Sequence, residues 1–311
     1  MKSLTVSNAL PKDFETVYVK LLYNQPGFLS ANNGLPQLHF YLLDKEARRV
    51  LGHIAFTREE NEVVSPYKAP FGGFELASDL SNEAFLFFAA EVMRLLKENH
   101  LRFVRMHLPP EVYLPAMGKV SHDLKALGFQ EKSRPVHHVL SVDEHSFESK
   151  ITSMEKRKLK KAVALHCAFS IEKRQDYAGV YEFVKSHRTA KGHELSMSWP
   201  MLKEAIKAHP EAYIFSSLKL DGQRIAAVIM IRVSAQVLYY YIPGHDADFN
   251  SLSPMVGLLN GLYQWAQSEG IRGIDLGTSY WANQENKSLV AFKRRVGGVA
   301  TTGSILRKAL T

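Results

Sequence analysis

The order of hydrophobic and polar positions predicts strands and helices in the second half of the chain. Nearly every residue of "RIAAVIMIRV" (224–233) is apolar, which is typical of a central strand. Shorter strands are predicted in "EAYIFSSLK" (211–219) and "QVLYYYIPG" (236–244). Because Asp221-Gly222 supplies the positive φ angles that a tight hairpin turn needs, we predict an antiparallel meander.

A helix follows the meander. Ser253 is a candidate N-cap, Pro254 suits the first helical position, and Gly270 ends a pattern with helical period over 253–269. The segment "RGIDLG" then predicts a short buried strand, and "NKSLVAFKRRVGG" predicts a last helix that glycines close.

The first half repeats this order more loosely. Its predicted elements are a hairpin plus a third strand in 37–67, a helix over 82–98 with Ser81 as N-cap, a strand in 102–108, a helix in 114–129 and a last strand in 135–142. We therefore predict an α+β (mixed α/β) fold with two tandem domains, 1–146 and 147–311. Each domain should be a mixed, mostly antiparallel sheet flanked by helices.

Composition narrows the class of protein. The chain has 311 residues, of which 46% are hydrophobic and 23% charged, so it can bury two cores. The single cysteine, Cys167, excludes a disulfide framework, and no metal site is indicated. No apolar run is long enough to span a membrane, and the first twenty residues lack a signal-peptide core, so we expect a cytoplasmic protein without membrane insertion. The net charge of +8 favours anionic partners.

Three stretches of the second half resemble a known family. They are "SMEKRKLKKAVALHCAFSIE" (153–172), "SPMVGLLNGLYQWAQSEGIRGIDLGTS" (253–279) and "NKSLVAFKRRVGG" (286–298). With the order of elements in each half, they resemble the GNAT acyltransferase fold in tandem, as in the FemABX peptidyltransferases and their CelD-like relatives. The resemblance implies transfer of an acyl or aminoacyl group to an amine.

The resemblance also implies where the donor binds. GNAT domains hold the pyrophosphate of an acyl-CoA on the free amides at the N-terminus of the helix after the meander. Here those positions are Ser253, Met255, Val256 and Gly257. The loop before them departs from the glycine-rich family pattern, since Asp246 and Asp248 precede the helix. The implied donor is therefore either an acyl-CoA, acetyl-CoA included, or an aminoacyl-tRNA.

Four residues are candidates for catalysis. Tyr239 and Tyr241 alternate onto one face of the third strand, where a phenol can protonate a leaving group or simply pack. His245 follows in the loop as a candidate general base, with a solvated histidine as the alternative. Asp275 ends the buried strand, where it either orients the substrate amine or accepts backbone N–H bonds from its own loop.

Candidate substrate residues lie in two loops and one helix. In the second half, Tyr280 and Trp281 offer stacking faces, Asn283 offers an amide, and Lys293 offers a charge for a phosphate. In the first half, "SPYKAPFGGF" (65–74) would project Tyr67, Lys68 and Phe71 from a loop rigidified by prolines. If the domains pack side by side, the two loops would line one cleft.

Three functions fit these patterns. The first is an N-acyltransferase or aminoacyltransferase, whose acceptor is a small-molecule, sugar or peptide amine such as a cell-wall precursor. The second is a catalytically inactive GNAT-fold binding protein. The third is an RNA-binding module that uses the basic helix "MEKRKLKKAVALH", with tRNA as a possible partner.

Overall fold

The computed structural model describes residues 3–30, 34–281 and 284–310. The chain forms two compact units. The first comprises the residues up to 135 together with those from 302 onward, and the second comprises residues 136–301. Each unit has its own sheet, so each is described by itself.

The strands and helices of the described residues follow in chain order. The strands are β1 (Leu4–Ser7), β2 (Glu15–Thr16), β3 (Gln37–Asp44), β4 (Arg49–Glu59), β5 (Glu62–Ser65), β6 (Glu75–Leu76), β7 (Phe103–Leu108), β8 (Gln130–Ser133), β9 (Val136–Ser141), β10 (Ala168–Ile171), β11 (Tyr213–Leu220), β12 (Gln223–Ser234), β13 (Val237–His245), β14 (Gly273–Thr278), β15 (Tyr280–Trp281), β16 (Gln284–Glu285), β17 (Val299–Thr302) and β18 (Ser304–Ala309). The helices are α1 (Pro26–Ser30), α2 (Asn82–Glu98), α3 (Met117–Ala126), α4 (Phe147–Lys150), α5 (Ser153–Ala164), α6 (Tyr177–Thr189), α7 (Trp199–Ala208), α8 (Pro254–Ser268) and α9 (Lys287–Arg295).

The sheet of the first unit has the order β1-β3-β4-β5-β7-β18-β8, with β2 and β6 also paired to β4. The β3-β4-β5 meander is antiparallel, and β5 then pairs with β7 in parallel. Helix α2 begins as predicted, because the Ser81 hydroxyl accepts a hydrogen bond from the amide of Ala84 at 3.2 Å.

The sheet of the second unit has the order β10-β11-β12-β13-β14-β9-β17. The predicted meander is confirmed: β11, β12 and β13 pair antiparallel, and Asp221 and Gly222 in the first turn have φ angles of 50° and 81°. Helix α8 packs its predicted apolar stripe on this sheet, and the residues of that stripe are buried. A mixed, mostly antiparallel α+β fold is therefore present in both units.

The two units differ from the predicted division at residue 146. Strand β9, predicted as the last strand of the first domain, pairs antiparallel with β14 in the second sheet. Strand β18, at the end of the chain, pairs with β7 and β8 in the first sheet. Each sheet thus receives one strand from beyond the sequence range expected for it. The pattern of apolar residues predicts that such a segment is a strand, but it does not specify the partner strand.

No helix within the described ranges combines the length and the apolar character that crossing a membrane requires.

Candidate active site

A cavity of ≈ 630 Å³ opens in the second unit where two strands separate. Strands β13 and β14 pair in parallel only from Val237 to Tyr239 and from Gly273 to Asp275. Beyond these residues the two strands carry no further ladder, and residues from both strands line the cavity. The cavity therefore lies at the point where the sheet divides between β13 and β14.

The N-terminus of α8 forms one wall of the cavity. Ser253, Met255 and Val256 line it, as predicted for the donor site, and Pro254 stands between them. Ser253 occupies the N-cap position with a φ of 50°, but its side chain makes no capping hydrogen bond. Pro254 has no N–H group and the Val256 amide donates to the Ser253 carbonyl oxygen at 2.9 Å, so the Met255 amide is the one that this helix start offers to a ligand.

Gly257 differs from the other three predicted donor residues. A Cβ at Gly257 would lie 2.9 Å from Leu218 Cδ2 and 3.4 Å from Ala162 Cβ, so this glycine packs against the core of the unit. It is not among the lining residues. Asp246 and Asp248 also do not line the cavity; the Asp246 carboxylate instead accepts a hydrogen bond from the amide of Asp248 at 3.0 Å.

The tyrosines of β13 lie on the two faces that strand alternation predicts. The rings of Tyr239 and Tyr241 are 6.2 Å apart at the edge of the cavity, whereas Tyr240 belongs to the hydrophobic core. The Tyr241 hydroxyl is 2.6 Å from Ser196 Oγ. Burial raises the pKa of both Tyr239 and Tyr241 above the ordinary value, so both phenols keep their protons at neutral pH.

His245 lines the cavity at the end of β13. Its Nε2 atom lies 3.1 Å from Lys191 Nζ and 2.9 Å from Asn250 Oδ1. Burial, and then the charge of Lys191, lower the pKa of His245 below its ordinary value. The imidazole is therefore neutral at pH 7, and when its Nε2–H group donates to Asn250 Oδ1 its Nδ1 atom can accept a proton.

Asp275 lies beneath the cavity and is fully buried. Its Oδ1 atom accepts a hydrogen bond from the Gly277 amide at 2.8 Å, and its Oδ2 atom lies 2.8 Å from His137 Nδ1. Of the two roles that the sequence left open, this geometry corresponds to holding the loop through a backbone N–H group. His137 belongs to β9, so the strand from outside the predicted domain supplies the partner.

Lys293 reaches the same loop from α9. Its ammonium group donates to the carbonyl oxygens of Gly277 at 2.8 Å and Thr278 at 2.7 Å, and the residue is only 5% exposed. Burial lowers the pKa of Lys293 from 10.5 to about 8, although the charge of Asp275 acts in the opposite direction. An ammonium group has three N–H donors, so one remains for a ligand in the cavity that Lys293 lines.

Helix α6 and the residues after it add basic side chains that the sequence analysis missed. His187, Arg188, Lys191 and His193 line the cavity, and Lys158 joins them from α5. Neither Asp nor Glu is among the described residues that line it. The signal was present in "KSHRTAKGH" (185–193), where five of nine residues are Lys, Arg or His, but helical period alone did not place this stretch at the cavity.

The predicted substrate residues have different surroundings. Tyr280 lines the cavity and is 48% exposed, so its ring is available for stacking. Trp281 belongs to β15, but its side chain is not among those described, and Asn283 lies outside the described residues.

The three residues from the loop 65–74 belong to the first unit. Phe71 was predicted to project towards a ligand, but it is buried and packs on Tyr113 with ring centroids 4.4 Å apart. The aromatic ring supplies core volume, which explains why the loop contains it. Lys68 is exposed, and its ammonium group lies 5.2 Å from the centroid of the Tyr67 ring.

Part of the second unit matches a family model. Residues 150–294 match the model of the "Acetyltransferase (GNAT) domain" family, which confirms the resemblance noted from the motifs and the expectation of a GNAT-type acyltransferase. No curated protein matches the chain.

Solved structures show that the likeness in fold extends over most of the chain. FemX has a TM-score of 0.71 at 11% identity, and the alignment covers 91% of each chain. L-PGS from Bacillus licheniformis has a TM-score of 0.58 at 12% identity, with 93% of this chain and 92% of that chain covered. A tandem GNAT protein from the clavulanic acid biosynthesis pathway has a TM-score of 0.52 at 10% identity, with 89% and 83% covered. These likenesses confirm the tandem GNAT-like fold.

Proposed function

We propose that the protein transfers an acyl or aminoacyl group from a phosphate-bearing donor to an amine, because residues 150–294 match the model of the "Acetyltransferase (GNAT) domain" family. One observation carries the proposal. A single cavity brings together a helix N-terminus, a buried lysine and a histidine that is neutral at pH 7. These groups supply anion binding, oxyanion stabilisation and proton acceptance, which acyl transfer to an amine requires.

The donor is proposed to be an acyl-CoA, with acetyl-CoA as the simplest case. The N-terminus of α8 lines the cavity through Ser253, Met255 and Val256, and the helix dipole favours a phosphate there. Neither Asp246 nor Asp248 lines the cavity, so the acidic loop does not place a carboxylate against the phosphates.

Aminoacyl-tRNA is the second candidate donor. Lys158 lines the cavity and lies on α5, whose outer surface carries the exposed residues Arg157, Lys160 and Lys161. A polyanionic RNA would extend from the cavity over such a basic helix, with an affinity that falls steeply as salt is added. The acceptor is proposed to be a small-molecule, sugar or peptide amine, a cell-wall precursor among them.

The proposed reaction forms an amide bond. The neutral amine attacks the acyl carbonyl carbon, His245 accepts the proton that the nitrogen loses, and Lys293 donates a hydrogen bond to the oxyanion of the tetrahedral intermediate. The bond from carbon to the leaving sulfur, or to oxygen for an aminoacyl ester, then breaks. Tyr239 or Tyr241, both of which remain protonated at neutral pH, donates a proton to the leaving group. The proton on His245 then passes through solvent to the tyrosinate, which restores both residues.

Thermal shift measurements test the donor. Coenzyme A at 100 times its dissociation constant should stabilise the folded protein by about 2.7 kcal/mol, which raises the melting temperature measurably. Ser253→Glu places a negative charge at the α8 N-terminus inside the cavity and should abolish the shift. Ser251→Glu adds the same charge two residues earlier, at an exposed residue that does not line the cavity, and should retain it.

Different results would select other functions. A shift with coenzyme A that Ser253→Glu leaves intact would contradict the proposed donor site. Stabilisation by charged tRNA but not by coenzyme A would select the aminoacyl donor. Stabilisation without transfer to any amine would indicate a binding protein of GNAT fold, and salt-sensitive binding of uncharged RNA alone would indicate an RNA-binding module.

A further inference from the structure

Three cations face the cavity from two different parts of the second unit. Arg188 and Lys191 come from the end of α6 and the residues after it, and Lys293 comes from α9. Within the described residues, no carboxylate forms an ion pair with any of the three. By contrast Lys158, which also lines the cavity, pairs with Glu155 at 3.0 Å. The three charges therefore face the cavity without a carboxylate in direct contact, although the charge of Asp275 acts on Lys293 and that of Asp246 on Lys191.

Two of these cations have fewer hydrogen-bond contacts than the third. Lys293 donates to two carbonyl oxygens, which accounts for its position. Arg188 makes one long contact, from Nη1 to the carbonyl oxygen of Pro243 at 3.4 Å, and its buried Nε atom has no hydrogen-bond partner. Among the polar contacts of the described residues, the Lys191 ammonium group has one to His245 Nε2 at 3.1 Å. A guanidinium group has five N–H donors, so most of the donors of Arg188 are unused.

Removing a cation from water without a partner is costly, and burial lowers the pKa of Arg188, which is partly buried. Lys191 is exposed, so this cost falls mainly on Arg188. Asp246 is the carboxylate that acts on Lys191 through its charge, but its side chain caps Asp248. An anion bound between Arg188 and Lys191 would offset this cost, because charge-assisted hydrogen bonds from guanidinium and ammonium groups to phosphate are among the stronger ones in proteins.

We propose that Arg188 and Lys191 form a subsite of the cavity that binds a phosphate group of a substrate. The proposal rests on the acyl transfer proposed above and adds residues that neither the family model nor the helix N-terminus identifies. The phosphate belongs either to the donor or to a phosphorylated amine acceptor, and the same chemistry serves both. The subsite would fix the substrate next to His245, whose Nε2 atom is 3.1 Å from Lys191 Nζ.

Calorimetric titration of the full-length protein with inorganic pyrophosphate tests the subsite at low ionic strength. Arg188→Met and Lys191→Met should each weaken pyrophosphate binding at least about tenfold, as expected for loss of a hydrogen bond between charged groups. The control is Lys185→Met. Lys185 is exposed on the same helix, pairs with Glu182 at 3.5 Å and does not line the cavity, so its loss should change binding less than about twofold.

A second titration, in the presence of saturating coenzyme A, distinguishes the two sources of phosphate. Competition between pyrophosphate and coenzyme A would assign the subsite to the donor, and simultaneous binding would assign it to the acceptor. If pyrophosphate binds equally well to the wild type, Arg188→Met and Lys191→Met, the subsite does not exist. Lys191 is exposed, so Lys191→Met decides the matter even if Arg188→Met does not fold.

Two results would distinguish a missing phosphate subsite from a missing acyl-CoA site. Coenzyme A binding with pyrophosphate binding unaffected by the two substitutions would overturn the subsite alone. Pyrophosphate binding that depends on Arg188 and Lys191, in a protein that coenzyme A does not stabilise, would support the subsite and overturn the proposed acyl-CoA donor.

Discussion

At the scale of single residues, the proposed chemistry depends most on Lys293. We expect Lys293→Met to lower kcat by roughly 100-fold, as is typical when one donor to an oxyanion is removed. Arg294→Met is the matched control, because Arg294 is the exposed neighbour on the same helix. Steady-state kinetics of both variants provide the measurement. An equal loss of activity in the two variants would contradict the assigned role.

The pKa of Lys293 predicts how the activity varies with pH. The wild-type rate should fall as pH rises through about 8, because the ammonium group that donates to the oxyanion loses its proton there. On the acid side, the rate should fall below the ordinary histidine pKa as His245 becomes protonated. In Lys293→Met the decline above pH 8 should disappear while the acid limb remains. A pH–rate profile in which both limbs are retained would exclude Lys293 as the group that titrates above neutrality.

The ionisation of Lys293 should also make the stability of the folded protein depend on pH. The lysine pKa is 10.5 when unfolded and about 8 when folded, so between these pH values the unfolded state binds more protons than the folded state. The stability of the wild type should therefore increase with pH in this window, by up to roughly 3 kcal/mol relative to Lys293→Met. Denaturant titrations at pH 7.5 and pH 10 measure the difference. A difference between the two proteins that does not change with pH would show that the lysine pKa is not depressed.

At the scale of elements, alanine substitutions at two helical glycines should change the stability in opposite directions. Gly261 lies where α8 crosses Phe169, and a Cβ added there would be 2.2 Å from Phe169 Cγ. Gly179 is exposed on α6, and a Cβ there would meet no atom closer than 3.7 Å. Gly261→Ala should destabilise the protein by about 1–3 kcal/mol through overpacking, whereas Gly179→Ala should stabilise it by about 0.5–1 kcal/mol through helix propensity.

Chemical denaturation of the two alanine variants provides the comparison. Because each variant adds one methyl group to a helix of the same unit, the difference in sign isolates the packing of α8 on Phe169. If Gly261→Ala were as stable as Gly179→Ala, α8 would have to pack further from β10 than the structure shows.

The sequence predicted the elements around the site better than their contacts. The helix 253–269 was expected and is present as α8, and its buried stripe is confirmed. Ser253 was expected to cap this helix with its side chain, but in the left-handed conformation its side chain makes no capping hydrogen bond. Backbone conformation at one residue depends on the loop that precedes it, and hydrophobic period carries no information about that loop.

The sequence pattern also did not predict which basic residues line the cavity. Tyr239, Tyr241 and His245 were identified because they lie on or next to a predicted strand at the expected ligand edge. Arg188 and Lys191 lie more than 40 positions earlier in the chain, and only the packing of α6 against β13 brings them to His245. A contact between distant elements is set by tertiary structure, so helical and strand periods predict each element but not the pair.

At the scale of the whole molecule, each of the two sheets contains one strand from the other half of the chain. Strand β9 lies between β14 and β17 in the second sheet, and β18 lies between β7 and β8 in the first. Each sheet therefore contains one internal strand that directly follows, along the chain, a strand of the other sheet. A boundary at residue 146 is what the sequence predicts, because the two halves have the same order of elements apart from the placement of β9 and β18.

The position of β18 between two partners leads to a prediction about the stability of the first unit. Leu306 is fully buried in β18, whereas Val299 in β17 is 68% exposed. Leu306→Asp buries a charge without a partner and should destabilise the first unit by several kcal/mol, roughly 4 or more. Val299→Asp, the control, should change stability by less than about 0.5 kcal/mol.

Hydrogen exchange followed by mass spectrometry would locate the effect of Leu306→Asp. The amides of β7 and β8, which flank β18, should exchange faster, because opening of the first sheet exposes their hydrogen bonds to water. The amides of β12, at the centre of the second sheet, should keep the protection seen in the wild type. Equally fast exchange in β12 and β7 would show that the two units unfold together. Strands β9 and β18 would then couple the stability of one sheet to that of the other.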